Sequence, residues 1–236
     1  TILDPGPDHP GHIERLLELT GGIIDQVLVT HTHPDHSPAV ATLKAKTGCR
    51  VFGLKAPEHP GQDQTFCPDD EPGHGDLIVT EAGILKTIHT PGHASNHVCF
   101  ALVDQQLLFS GDHIMQGSTV VINPPDGDMK AYIESLYELL AEPVEFIAPA
   151  HGFLMGQPGV VIDYLITHRL SREHKIEKIL QAIGPADLKT ITARAYDDVP
   201  QALHRVASRS ALAHLLKLEA DRKAAKKGEN WFISSR

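Results

Sequence analysis

"DQVLVTHTHPDH" fills residues 25–36. A short apolar, β-branched run ends at Thr30, and three histidines and an aspartate crowd the next six positions. The run reads as a strand, and it delivers the residues after it to the edge of a sheet. His31 and His33 are two apart, so extended or turning backbone places both imidazoles on one side. Asp35 and His36 lie further into the turn and the helix after it, where they can face a second point a few ångströms away. Neutral imidazole is a good ligand for zinc and other borderline transition metals. One short segment can therefore serve two cations.

Outward from this turn, strands and helices alternate. The pattern predicts a helix over 37–48 with Gly48 at its end, a strand over 50–54, and a loop over 55–76 rich in Pro, Gly, Asp and Glu. Strands are predicted over 84–89, 97–103 and 106–111. The last two are joined by a tight hairpin at Asp104-Gln105. An amphipathic helix over 126–142, a strand over 144–152 and a helix over 166–184 come next, and Gly184-Pro185 stops the last. This alternation argues for a mixed, layered fold. The domain boundary is placed there, giving 1–184 and 185–236. In the second part, short helices are predicted over 187–196 and 201–207, a longer one over 210–228 and a strand over 230–234.

The 236 residues, 41% apolar, suffice for one large core or a core plus a small appended domain. No apolar run approaches a membrane span and no signal peptide is visible. The three cysteines, Cys49, Cys67 and Cys99, are odd in number and form no CxxC. They read as packing residues in a reducing cytoplasm. The net charge is −9, unevenly spread. After residue 203, eight Lys/Arg face three Asp/Glu, a local +5, while thirteen against twenty-seven leave −14 before it. The basic footprint of a nucleic-acid binder is confined to the tail.

Further donors must come from distant segments. His93 in "TPGH", Asp112 in "SGDH" and His151 in "PAHG" each sit at a predicted strand end beside a glycine that permits a tight turn. Together with "THTHPDH", in this order and at these intervals, the motifs resemble the metallo-β-lactamase fold superfamily over most of residues 1–183. The resemblance implies an α+β fold, an αββα sandwich with the metals at one edge. It assigns His31, His33 and His93 to the first metal and Asp35, His36 and His151 to the second, with Asp112 bridging. Asp4 in "ILDPGP" resembles the aspartate that supports the site from behind. Family members carry a β-hairpin before that segment. Here the chain opens almost on it, so an incomplete first sheet is expected.

Two divalent cations are thus implied, zinc first, with iron or manganese as alternatives. They would share Asp112 and a nucleophilic hydroxide, with Asp35 a ligand first and an orienter of the nucleophile second. Asp35 and Asp112 are the expected catalytic carboxylates. His97 could orient the site, touch substrate or serve an ordinary structural hydrogen bond. His113 should point away from its neighbour. His9, His12 and His89 are not expected as ligands, and His168-Arg169, in the helix that leads to the tail, is a candidate for facing substrate.

The tail resembles the winged-helix domain of a branch that includes endoribonucleases. Its helical cap is expected to close the cleft, and the acidic body argues against double-stranded DNA. The substrate class is a small molecule carrying an ester, thioester or lactam, or single-stranded RNA. β-Lactam hydrolysis and a metal-sensing DNA-binding regulator are the alternatives. No membrane partner is expected, and the oligomeric state is not legible.

Overall fold

A computed structural model describes residues 1–234; the last two residues of the expected tail domain, 235–236, lie outside the described residues. In chain order the elements are β1 (Ile2–Leu3), α1 (Pro10–Leu19), β2 (Gln26–Leu28), α2 (Ala39–Thr47), β3 (Arg50–Phe52), β4 (Leu77–Thr80), β5 (Gly83–His89), β6 (Val98–Leu102) and β7 (Leu107–Gly111). Then come α3 (Met129–Leu139), β8 (Phe146–Pro149), β9 (Met155–Gly156), α4 (Pro158–Ile183), β10 (Ala186–Asp187), α5 (Leu188–Ala195), α6 (His204–Ala220), β11 (Ala224–Lys227) and β12 (Asn230–Ile233). Strands β1-β2-β3 form a parallel sheet of three, and β4-β5-β6-β7-β8-β9 a sheet of six.

The period-two alternation of the strands sorts their side chains into layers. Val27 and Val29 pack outward with Ile13, Val40 and Leu43 of α1 and α2. Leu28 points the other way, into a core shared with Phe52, Val98, Phe100 and Leu102 between the two sheets. Cys99 and Ala101 of the same β6 face Tyr132, Leu136, Ile162 and Leu165 of α3 and α4. Every residue of β6 is buried, as a strand covered on both faces must be. The layers are therefore helix, sheet, sheet, helix, which is the expected αββα sandwich.

The tail folds α5, α6 and the sheet β10-β12-β11 around Trp231, Leu215 and Leu218. α4 serves both cores. Ile162, Leu165 and Ile166 lie in the sandwich, Ile176 and Leu180 in the tail. At 26 residues it runs about 39 Å.

Several expected boundaries are corrected. The helix expected from 166 begins at Pro158. The hairpin at Asp104-Gln105 is a 3-10 turn over Val103–Gln105, closed by Gln106 at φ +50. The separate helices over 201–207 and 210–228 are one helix, α6, after a short 3-10 turn. It ends at Ala220, and 224–227 form a strand instead. Pairing with Asn230–Ile233 across Gly228 overrides the helix propensity of that Ala/Lys-rich segment.

Candidate metal centre

Four strand ends of the sandwich meet where the turn after β2 leaves the first sheet. The 30–36 turn supplies His31, His33, Asp35 and His36. The turn after β5 supplies His93, the end of β7 supplies Asp112, and the turn after β8 supplies His151. All seven predicted residues are brought together. The donor atoms of His31, His33 and His93 lie within 4.8 Å of one another, as do those of Asp35, His36 and His151, and those of His31, His36 and Asp112.

Asp112 stands between the first two groups. Its Oδ2 is 3.6 Å from His93 Nε2, while its Oδ1 is 3.6 Å from His36 Nε2 and 3.5 Å from His151 Nε2. On the outer side, Asp35 Oδ2 lies 3.2 Å from His151 Nε2 and 3.6 Å from His36 Nε2. The site opens on that side. The side chains of Asp35 and His151 are 56% and 45% exposed, against 2% for His36 and 10% for Asp112.

The donor set fits cations. His36 Nε2 and Asp112 Oδ1 are buried, face each other and have no hydrogen-bond partner among the described residues, an arrangement that is costly unless something positive sits between them. His33 Nδ1 lies 2.9 Å from both His31 Nε2 and His93 Nε2, so three imidazole nitrogens converge on one point.

The other ring nitrogens are oriented from behind. Asp4 Oδ1 accepts from the Thr30 backbone N–H at 2.7 Å, and its Oδ2 accepts from Thr30 Oγ1 at 2.7 Å and His36 Nδ1 at 3.0 Å. Thr30 has given its one hydroxyl proton to Asp4, so at 3.0 Å it accepts from His31 Nδ1. One carboxylate thereby turns Nε2 of both His31 and His36 toward the site. His93 Nδ1 donates to the Val121 carbonyl at 2.8 Å, with the same effect on its Nε2. The neighbouring Val120 carbonyl accepts from the buried guanidinium of Arg169, which lies over the Tyr132 ring.

His97 is fully buried and out of reach of a substrate. Its Nε2 accepts the Asp112 backbone N–H at 3.2 Å, and its Nδ1 donates to Thr90 Oγ1 at 2.8 Å. Gly111 makes this approach possible. It adopts φ +49, and a Cβ there would meet His97 Nε2 at 2.6 Å and Thr30 Oγ1 at 2.7 Å.

Burial, reinforced by neighbouring imidazoles, holds His31 and His97 well below the usual histidine range. The same causes lower His33 to about 4, and burial lowers His93. All four are neutral at neutral pH, as ligands or acceptors must be. His36 differs. Burial opposes its charge, yet the carboxylates of Asp112 and Asp4 raise it to about 10, so a cation there must displace a proton. Asp112 is held low against its burial chiefly by His36.

His113 points away from the site, its ring 4.6 Å from that of Tyr132. His12 contacts the Pro5 carbonyl and His89 the Ser95 carbonyl, both outside the cluster. His168 packs beside Tyr164 and lines a small pocket against the tail, away from the seven donors. Arg169, expected beside His168 as a substrate-facing candidate, is buried and supports the Val120 carbonyl instead. Sequence reasoning missed Thr30 and a polar chain beneath the turn. In that chain Asn96 donates to Thr32, Thr32 to Gln62, and Gln62 to Asp126. Each is a lone residue in its own segment, and nothing in the sequence marks it. Thr30 alone had a signal, as the last strand residue before the first ligand.

The family model for the metallo-beta-lactamase superfamily matches residues 1–151, and that for the beta-lactamase associated winged helix domain matches 188–231. The chain is 30% identical over 239 residues to the beta-lactamase-like protein 2 homolog of Drosophila melanogaster, spanning 94% of this chain and 79% of that protein. It is 28% identical over 249 residues to the atrochrysone carboxyl ACP thioesterase of Aspergillus chevalieri, spanning 98% and 78%. A metallo-beta-lactamase family protein of Thermus thermophilus superposes with a TM-score of 0.79 at 18% identity, covering 98% of this chain and 89% of that one.

Proposed function

We propose that this chain, which belongs to the metallo-beta-lactamase superfamily, is a hydrolase working through two divalent cations held at the 30–36 turn. The observation that carries the binuclear reading is Asp112, whose two oxygens face two different groups of donors. His31, His33 and His93 would hold one cation, and Asp35, His36 and His151 the other. Zinc is the first candidate for both, with iron or manganese as alternatives. Such cations supply a nucleophilic hydroxide near neutral pH and polarise the oxygen of the bond to be cleaved.

The protein's own residues fix the rest. Asp4 and the Val121 carbonyl hold three imidazoles in the ligating tautomer. Asp35 and His151 line the open side, where Asp35 can also accept a hydrogen bond from the nucleophile and orient it. His97 fixes the backbone of Asp112 and leaves the chemistry to its neighbours.

The substrate we favour is a thioester or ester. The relative from Aspergillus chevalieri is named a thioesterase, and its likeness runs through almost the whole of this chain. Single-stranded RNA is the second reading, favoured by the winged-helix match at 188–231. Against it, Lys217 is already paired with Glu173 and Asp221, and Lys226 lies over Trp231. Among the described residues no helix is long and apolar enough to cross a membrane. Cys49, Cys67 and Cys99 are all free, which fits a reducing compartment such as the cytoplasm.

The test is metal analysis of the purified protein, followed by a panel of an acyl thioester, a lactone, nitrocefin and single-stranded RNA. Thioester hydrolysis abolished by a chelator and restored by zinc, iron or manganese is expected. Protein without metal, or turnover indifferent to the chelator, overturns the reading. Cleavage of RNA alone keeps the centre and replaces the substrate. DNA binding with no turnover of any substrate supports a regulator instead.

A further inference from the structure

A groove of about 460 Å³ lies beside the candidate centre, between the 115–119 segment and the first turns of α4. That volume is within the range of small-molecule sites. Its walls are Met115, Met155, Val160, Val161, Tyr164 and Leu165; Ser118 and Thr119 add hydroxyls, and no charged side chain among the described residues lines it. The core of the sandwich forms its floor, because Leu165 is buried there and Met115, Met155 and Val161 pack against it.

Both walls lead directly to the centre. Met115 is three residues after Asp112 and Met155 four after His151, so the Met155 Cα lies at most about 14 Å from that of His151. The walls are also tied together there. Gln116 N–H donates to the His151 carbonyl at 3.2 Å, and Gln116 Oε1 accepts from Phe153 N–H at 3.0 Å. Phe153 and Leu154, between His151 and Met155, are 80% and 60% exposed. Large apolar side chains left in water next to a metal-ligating type of residue mark a place where something apolar binds.

We infer that this groove holds the hydrocarbon acyl part of the substrate, with the scissile carbonyl at the open side marked by Asp35 and His151. The inference rests on the hydrolase reading above and sharpens its substrate class to medium-chain acyl thioesters and esters. A nucleic-acid strand would need cations along its path, and the groove offers none. Burial of a methylene contributes about a three- to fourfold factor when transfer is complete.

The experiment uses S-acyl N-acetylcysteamine thioesters from acetyl to octanoyl and the metal-loaded protein. Activity, kcat/KM, is expected to rise about threefold per methylene until the groove is filled. Val160→Asp, at an exposed position in the first turn of α4, flattens that slope. Val79→Asp, at an exposed position on β4 at the far edge of the second sheet, leaves it as it is.

A second readout needs no turnover. Of the three methionines, Met115 and Met155 line the groove and Met129 is buried in the core. With 13C-methyl methionine, the thioether S-octyl-N-acetylcysteamine should shift the Met115 and Met155 signals and leave Met129 in place. Thioesters hydrolysed at one rate whatever their length, with both groove signals silent, sink the groove and leave the hydrolase standing. Shifted groove signals without hydrolysis of any thioester do the reverse.

Discussion

Replacing Asp4 by Asn should disable both halves of the centre while leaving the fold intact. Asp4 sits at φ +47, a conformation that Asn tolerates, so the backbone is kept. The amide can still accept from the Thr30 N–H through its oxygen. Its NH2 then faces Thr30 Oγ1 and His36 Nδ1, where the carboxylate had accepted two protons. Thr30 Oγ1 becomes the acceptor, and its own proton turns toward His31 Nδ1, 3.0 Å away. Both His31 and His36 are pushed to the tautomer with a proton on Nε2, the atom that faces the site. Loss of one such supporting partner costs about 10- to 100-fold in metal affinity. Two relays hung on one carboxylate give about 10²- to 10⁴-fold if independent, or about 3 to 5 kcal/mol. Chelator competition measures the affinity, and long-range 1H–15N correlation of the histidine rings reads the tautomers. Affinity within threefold of the wild type, or a loss confined to one of the two cations, would refute the relay.

Other consequences are simpler to state. Gly92→Ala places a Cβ 2.4 Å from Tyr132 Cα at φ +144. Overpacking plus backbone strain should cost about 3 kcal/mol and lower the Tm by about 6–12 °C in a scanning melt. Arg169→Leu strips the Val120 carbonyl of its donor, so about 1–3 kcal/mol is lost in urea unfolding, and metal binding weakens through His93. His214 is fully buried among Glu173, Lys217 and Arg169; burial lowers it to about 4 despite the attraction of Glu173. The unfolded chain therefore binds the extra proton. His214 should take about 3 kcal/mol from stability as pH drops from about 6.5 towards 4, and His214→Leu should lessen the slope of urea melts against pH by that share, leaving the part due to the buried histidines of the centre.

The centre was unusually legible because four of its seven donors fall within six consecutive positions and their spacing divides them into two pairs. The remaining three sit at strand ends next to glycines, and only their order after the turn made them readable. The layered fold was legible from strands such as β6, apolar throughout and therefore covered on both faces. Arg169 was not, since it reaches the Val120 carbonyl, next to the one that holds His93, from a helix 49 positions later in the chain. The tail misled for a related reason. The gap read between 207 and 210 is helical, with the Ser208 hydroxyl returned to the Arg205 carbonyl and Ser210 buried. Ala224–Lys227 has helical composition, and only a partner strand makes it β.

The two family matches end at 151 and resume at 188, and α4 fills most of the interval. It therefore belongs to neither module by descent of sequence pattern and to both by packing. A seam for a chimera should not be cut at its C-terminal end. Swapping the tail for another would have to exchange the outer half of the helix, with Ile176 and Leu180, or leave two greasy faces unmatched. The halves should also melt together, because neither can release its grip on the shared rod without loosening the other.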